Sequence, residues 1–481
     1  MPKNVLKLYS EITKTAPIFL YNTLTRQREE FVPIHKGSVG LYTCGPTVYN
    51  YAHIGNLRTY IFNDILRRVL EFNKLKVNHV MNVTDVGHLV SDSDEGADKM
   101  ENGAKREGKD VWTIAKQYTE TFFNDCTKLN MLPPTIVCKA TDHINEQIEL
   151  VKELEKKGYT YKTPDGIYFD SSKFATYGEL ALIDKEGLQA GKRVSLKYKK
   201  NSTDFALWKF SSTDEKRQME WNSPWGKGFP GWHIECSAMA MKYLGRHFDI
   251  HTGGTDHIPI HHTNEIAQSE AATGEKFVNY WLHGNFLIVE QDKMSKSGGD
   301  FLTLEKVVSK GFDPIDYRYL CLTVHYRKNL SFTWENLKAS KESLIKIRRK
   351  MLQLKNTIAH ENYDHFTKSA EIYDKEFMGK INDDLNIPSA LAVLHKLLRD
   401  TNVLSIQKYA SVLGYDTVLG LGLSSVENTV IPAKIIALAD EREVARKRKD
   451  WKASDEIRKR ISETGFSVED TNEGYKIVLK N

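Results

Sequence analysis

No apolar stretch in this 481-residue chain runs far before a charged residue interrupts it, so no transmembrane helix of the usual length is expected. The opening Met1-Pro2-Lys3-Asn4 has no long apolar core behind it, and no secretory leader is expected. Cysteine is scarce: five residues (Cys44, Cys126, Cys138, Cys236, Cys321), odd in number and widely scattered, do not make a disulfide framework. That pattern points to a reducing cytoplasm, where a special cysteine serves as ligand or nucleophile. A strong excess of one charge is missing too, the net being +5, so nothing global demands a polyanionic partner. Internal repeats and low-complexity tracts are absent. What remains is a globular composition, 40% hydrophobic and 27% charged, long enough for about three domains.

One stretch near the N-terminus organises the rest. The β-branched run Val39 to Thr43 ends on Cys44, a turn follows at Gly45-Pro46, and His53-Ile54-Gly55-Asn56 leads into Ile61, Ile65, Leu66, Val69, Leu70 and Phe72 at helical spacing. A strand running through a turn into a helix N-terminus presents free N–H groups and a positive dipole end, which suits phosphate. Val77 to Asp85 reads as a second buried strand, making a βαβ unit and predicting a parallel sheet with ligands at the carboxyl ends of its strands. Cys44 and Thr84-Asp85 both fall at such ends.

In chain order, residues 1–17 read as a short extension, and strands are expected at Ile18–Tyr21 and Glu30–Ile34 around a turn at Asn22. Amphipathic helices are expected at Val111–Leu132, broken by Pro133-Pro134, and at Ile144–Lys157. Residues of about 133–228 alternate short strands with turns, an insertion within an α/β domain spanning 18–312. The α/β pattern resumes at Trp232-His233-Ile234-Glu235-Cys236 with a helix through Tyr243, a strand His247–Ile250, a Gly253-Gly254 loop, a helix bearing His261 and Glu265, and a strand Phe277–Leu282. Residues of about 283–312 hold a lysine loop, 313–423 read as an antiparallel helical bundle, and 424–481 as a small α+β unit with a charged helix, basic residues concentrating from Arg442 to Arg460.

Two constellations carry chemistry. Cys44, Cys236, His261 and Glu265 are soft, borderline and hard donors, and His261 and Glu265, four apart, share one helix face. Taken singly, buried structural cysteines and a surface His/Glu pair are the more ordinary reading; spacing alone leaves both open. Lys293-Met294-Ser295-Lys296-Ser297, followed by Gly298-Gly299, can bring two ammonium groups to a triphosphate, although a solvated loop is the ordinary reading of any lysine pair.

Together, the His53 tetrad and Lys293–Ser297 resemble the two signatures of class I aminoacyl-tRNA synthetases. Thr43-Cys44-Gly45-Pro46-Thr47-Val48-Tyr49, Gly231 to Met239, His261 to Gln268 and Lys449-Asp450-Trp451 sharpen the resemblance to the cysteinyl-tRNA synthetases, over the chain from about Phe19 onward. The resemblance implies a Rossmann-type parallel-sheet catalytic domain with an inserted subdomain, a helical bundle and a small anticodon-binding domain. It implies that Cys44, Cys236, His261 and Glu265 hold one zinc ion, which selects the substrate thiolate. It further implies that Trp232 walls the amino-acid pocket with Thr84 and Asp256 nearby, that His53 and Asn56 contact ATP, and that Lys293 and Lys296 stabilise the transition state. Arg446, Trp451 and Asp455 match anticodon-reading positions.

The partners so implied are ATP with Mg²⁺, L-cysteine and the tRNA for cysteine, acting on a cytoplasmic monomer with no membrane. Asn56 stands where the family's tetrad usually has a second histidine; its amide donates but carries no charge. Two other readings compete: a ligase passing cysteine to a small amino-sugar acceptor, which would lack the anticodon domain, and a non-catalytic zinc-containing tRNA-binding paralogue. The basic C-terminal segment weighs against the first and intact His53, Lys293 and Lys296 against the second.

Overall fold

A computed structural model of the chain describes residues 16–87, 98–183, 198–211, 217–289, 302–358, 369–425, 433–464, 466–471 and 474–479. Lys293 and Lys296, and nearly all of the expected 1–17 extension, lie outside the described residues. Five strands, β1 (Ser38–Thr43), β2 (Lys76–Val83), β3 (Ile136–Lys139), β4 (Phe248–Gly254) and β5 (Val278–Gly284), form one sheet in the order β5-β4-β1-β2-β3. Every neighbouring pair is parallel, with Leu41 opposite both His79 and Ile250. Strand order reverses between β1 and β4, and a crevice opens outside the carboxyl ends of strands at such a point.

The alternation of strand side chains divides the core. Val39 and Leu41 pack with Ile61, Ile65 and Leu66 of α1 (Ile54–Phe72) on one face. Tyr42, Val80, Phe248 and Val278 pack with Met239 and Ala240 of α2 (Trp232–Leu244) on the other. Helix α3 (Thr263–Thr273) docks on α2 through small and polar residues: Gln268 Nε2 donates to the Ser237 hydroxyl at 2.6 Å, and the Ser269 and Ser237 hydroxyls lie 2.8 Å apart.

One expected strand lies elsewhere. Phe19–Asn22 pairs antiparallel with Gln27–Glu30, Phe19 facing Glu30, rather than with a strand over Glu30–Ile34. The turn fixes this register: Arg26 takes a left-handed φ of 61° and its N–H donates to Asn22 O at 2.9 Å, closing the hairpin before the apolar run begins. Val32 and Ile34, which drew the strand reading, are exposed.

Ile136–Lys139 pairs with β2, so the first residues of the expected 133–228 insertion belong to the parallel sheet. The antiparallel layer is a four-stranded sheet formed by Thr160–Thr163, Gly166–Phe169, Phe205–Phe210 and Gly228–Pro230, with its own core around Phe169, Leu207 and Trp208. Helices Pro314–Leu322, Trp334–Ile358, Ser369–Ile381, Ile387–Arg399 and Ser405–Leu419 follow. They are tied to α1 by a buried charge cluster, in which Arg318 and Arg68 bond Asp64 Oδ2 at 2.6 and 2.8 Å. Helices Ala433–Lys447 and Trp451–Glu463 pack on an antiparallel strand pair to close the chain, around Leu438, Ile461 and Phe466. Among the described residues, no helix is long and apolar enough to cross a membrane.

Candidate active site and metal centre

At the carboxyl ends of β1 and β4 lies a cleft of about 290 Å³, lined by Cys44 to His53, Asn56, Lys99, Trp232, Gly253, Gly254, Asp256 and His257, among others. Its floor depends on a tight turn. Gly45 N–H donates to Asn82 Oδ1 at 2.8 Å, and a Cβ on Gly45 would meet the Asn82 carbonyl oxygen at 1.6 Å, so no larger residue fits. The turn is held to β2 by Thr84 N–H donating to Pro46 O and Val48 N–H to Thr84 O.

On one wall, His53 caps α1. Its Nδ1 accepts the Asn56 N–H at 3.1 Å while Asn56 Oδ1 accepts the His53 N–H at 3.2 Å, a reciprocal box that satisfies two orphan donors. Because Nδ1 accepts, the other ring nitrogen carries the proton. Burial pushes the His53 pKa below its ordinary value, against the pull of Asp256, so the ring is a neutral donor at the positive end of α1. Gly55 makes the cap: a Cβ there would press on the His53 ring at 2.9 Å.

On the opposite side, Cys44, Cys236, His261 and Glu265 converge, their ligand atoms within 4.8 Å of one another and all four residues buried. Cys44 ends β1, its N–H bonded to Thr252 O of β4 at 3.1 Å. Trp232 and Cys236, four apart, share a face of α2, whose start is possible only with glycine at 231, since a Cβ would meet the Ala206 carbonyl at 1.9 Å. His261 arrives on a π-helical turn, Ile258–His262, and Glu265 follows in the first turn of α3. His261 Nε2 lies 3.0 Å from Glu265 Oε1.

Two thiols and a carboxylate so close need a positive centre. Burial drives the Cys44 thiol up, whereas its hydrogen bond with Cys44 brings Cys236 down to about 7. Burial would raise Glu265, but His251 and His261 overcome it and hold the carboxylate at about 2. Burial opposes the charge on His261, but Glu265 and Cys236 lift its pKa to about 10. The protonated His261 is thus the positive partner of the Glu265 carboxylate and the Cys236 sulfur, a place that a divalent cation would take once the Cys44 and His261 protons left.

Sequence reading missed the second layer. Glu265 Oε2 accepts from His251 at 3.0 Å, Cys44 Sγ lies 3.3 Å from His262 Nε2, and His262 Nδ1 continues to His283 Nε2 at 2.8 Å and thence to the Thr23 hydroxyl. Cys44, His251, His262 and Glu265 form an alternative cluster of comparable tightness. The set with Cys236 is the better fit, because it holds two thiols and because His261 packs, ring centres 4.4 Å apart, against Trp232, which borders the cleft, whereas His251 stacks on the buried Trp281. The legible signal was a histidine within each of two otherwise buried strands, at 251 and 283.

Not every expected residue lines the cleft. Asp256 does, exposed, and Trp232 does, half-buried. Thr84 is buried beneath the turn, where its hydroxyl accepts from Asn82 Nδ2 at 3.1 Å. Far along the chain, Trp451 is 59% exposed and Asp455, four residues on, shares its helix face. Arg446 is engaged with Asp470, beside the bidentate Arg442–Asp470 pair at 2.8 and 3.2 Å.

Residues 30–342 match the family described as tRNA synthetases class I (C) catalytic domain, and residues 376–423 match the DALR domain. The chain is 52% identical over 464 residues to cysteine–tRNA ligase 1 of Burkholderia lata, covering 96% of this chain and 97% of that one. The chain belongs to the cysteine–tRNA ligase family. The cysteine–tRNA ligase of Treponema denticola is 46% identical over 480 residues, covering 94% of this chain and 97% of that protein. Two structures of Mycobacterium tuberculosis methionyl-tRNA synthetase with methionyl-adenylate superpose with TM-scores of 0.55 and 0.57 at 14% and 12% identity, covering 80% and 81% of this chain and 90% and 93% of theirs. Those two share the class I fold with this family member.

Proposed function

We propose that this member of the cysteine–tRNA ligase family activates L-cysteine with ATP and transfers it to the 3′ end of the tRNA for cysteine, acting as a cytoplasmic monomer. The observation that carries the reading is one cleft lined by Cys44, the outermost member of a buried Cys–Cys–His–Glu cluster, and by the histidine that caps a helix N-terminus. Zinc held by Cys44, Cys236, His261 and Glu265 supplies a soft position that a cysteine thiolate fills and a serine hydroxyl does not.

The protein's own groups do the rest. Trp232 covers the amino acid and Asp256 faces its ammonium, while Thr84 supports the pocket from beneath the turn. His53 and Asn56, with the first N–H groups of α1, receive ATP phosphates accompanied by Mg²⁺. A carboxylate oxygen of cysteine bonds to the α-phosphorus as the bond to pyrophosphate breaks, with Lys293 and Lys296 taking up the developing charge. The ribose hydroxyl of the tRNA end then attacks the acyl carbon and AMP departs. No covalent enzyme intermediate is required; positioning and fixed charges suffice. Trp451 stacks an anticodon base, with Asp455 and Arg446 beside it. The matched span, including the DALR domain and both C-terminal helices, disfavours a truncated amino-sugar ligase.

Cysteine-dependent ATP–pyrophosphate exchange and charging of tRNA by the same preparation test this. Exchange that did not depend on cysteine would sink the reading.

A further inference from the structure

Lys99 is the one lysine or arginine lining the active-site cleft among the described residues. Its ammonium lies 5.7 Å from the centre of the Trp232 ring and 6.0 Å from that of Tyr49, and it makes no ion pair among the described residues. Trp232 in turn packs against His261 of the candidate metal cluster, ring centres 4.4 Å apart and planes tilted by 35°. The lysine is thus one ring removed from where the substrate sulfur is anchored.

Its backbone is fixed for this purpose. Lys99 opens the helix Lys99–Glu107, and Asp98 caps that helix by accepting Met100 N–H at 2.7 Å and Glu101 N–H at 2.9 Å. Asp98 is itself paired with the largely buried Arg217. Gly103 lets the helix settle against the Tyr49 carbonyl, which a Cβ would meet at 3.1 Å, and Arg106 donates to the same carbonyl at 3.2 Å. A lysine on a docked, capped helix that reaches over an aromatic face toward a pocket is not arranged as a solvated surface charge is.

Resting on the reading above, we propose that Lys99 binds the α-carboxylate of cysteine and presents it to the α-phosphorus of ATP. A cysteine anchored by sulfur carries its carboxylate and its ammonium only a few bonds away. The ammonium is repelled by Lys99 and attracted to Asp256, so the carboxylate turns to Lys99. The contact orients a nucleophilic oxygen before the O–P bond forms, and it persists only while the other oxygen keeps negative charge.

The test compares cysteine with cysteinol, which keeps thiol and ammonium but lacks the carboxylate, by calorimetric binding to the purified full-length enzyme. Lys99→Met is expected to weaken cysteine about ten- to a hundredfold, the range of a lost charged hydrogen bond. It leaves cysteinol affinity and metal content unchanged, and Lys99→Arg restores most of the loss. Equal losses for cysteine and cysteinol would show a merely structural role and overturn the proposal. So would a loss confined to ATP. If the wild-type enzyme itself shows no cysteine-dependent exchange, the proposed function fails; if it does and Lys99→Met binds cysteine normally, only this assignment fails.

Discussion

Asp64→Asn should destabilise the junction between the catalytic sheet and the helical bundle, and should do so in a pH-dependent way. Asp64 sits on α1 with both oxygens used: Oδ1 accepts Leu132 N–H at 2.8 Å, and Oδ2 accepts from Arg318 at 2.6 Å and Arg68 at 2.8 Å. The two guanidiniums are spread over carbonyls of distant segments, Arg318 to Leu419 at 2.8 Å and Leu129 at 3.0 Å, Arg68 to Thr417 at 2.9 Å and Asn130 at 2.7 Å. Asparagine keeps the size but leaves two buried cations without the carboxylate they bond, only the more distant Asp416 remaining. Removing one partner of a buried pair costs about 3–5 kcal/mol, or roughly 6 °C or more in Tm at ~2 °C per kcal/mol.

Burial alone would raise the Asp64 pKa, but Arg318, Arg68 and the Leu132 N–H hold it below its ordinary 3.8. A group whose folded pKa is depressed stabilises the fold above its unfolded value and loses that contribution as pH falls. The gap between wild type and Asp64→Asn should therefore be full above pH 3.8 and close below it. Thermal melts by circular dichroism across that range measure it. Equal Tm values near neutral pH, or a gap that widens with acid, would refute the reasoning.

Gly45→Ala forces a methyl onto the Asn82 carbonyl and should cost roughly 1–3 kcal/mol, with loss of cysteine activation exceeding what the lower Tm explains. Asn56→Ala removes the acceptor of the His53 N–H; it should cost about 1 kcal/mol and raise the KM for ATP in pyrophosphate exchange more than that for cysteine. Trp451→Ala, at an exposed position, should leave both Tm and cysteine activation unchanged. It should raise the KM for tRNA roughly tenfold, the loss of one stacked base, as charging kinetics would read.

The sheet and its crevice were legible because buried parallel strands leave continuous apolar runs and α1 leaves its helical spacing. Val39–Thr43 and Val77–Asp85 lie within a residue or two of β1 and β2. The strand after Asn22 was misplaced because exposed Val32 and Ile34 mimic a buried run, while the real partner, Gln27–Glu30, is polar and is set by its turn. Ile136–Lys139 was hidden by the double proline before it, although a parallel edge strand needs only a few residues. At the site, the four donors read from motifs do converge. The histidines behind them showed only as isolated residues within apolar strands, because His251, His262 and His283 meet only when β4, β5 and the π-helical turn are packed. Lys99 escaped for the same reason, its neighbours Tyr49 and Trp232 being distant in the chain.

Selection of the amino acid by a metal on Cys44, Cys236, His261 and Glu265 is the proposal on which the rest depends. It is tested most directly by measuring zinc content and cysteine-dependent pyrophosphate exchange on the same purified sample, for the wild-type enzyme and for Cys44→Ser. About one zinc per chain with cysteine-dependent exchange in the wild type, and loss of both in Cys44→Ser with tRNA binding retained, is the predicted result. Cysteine-specific exchange that survives complete removal of the metal would contradict it.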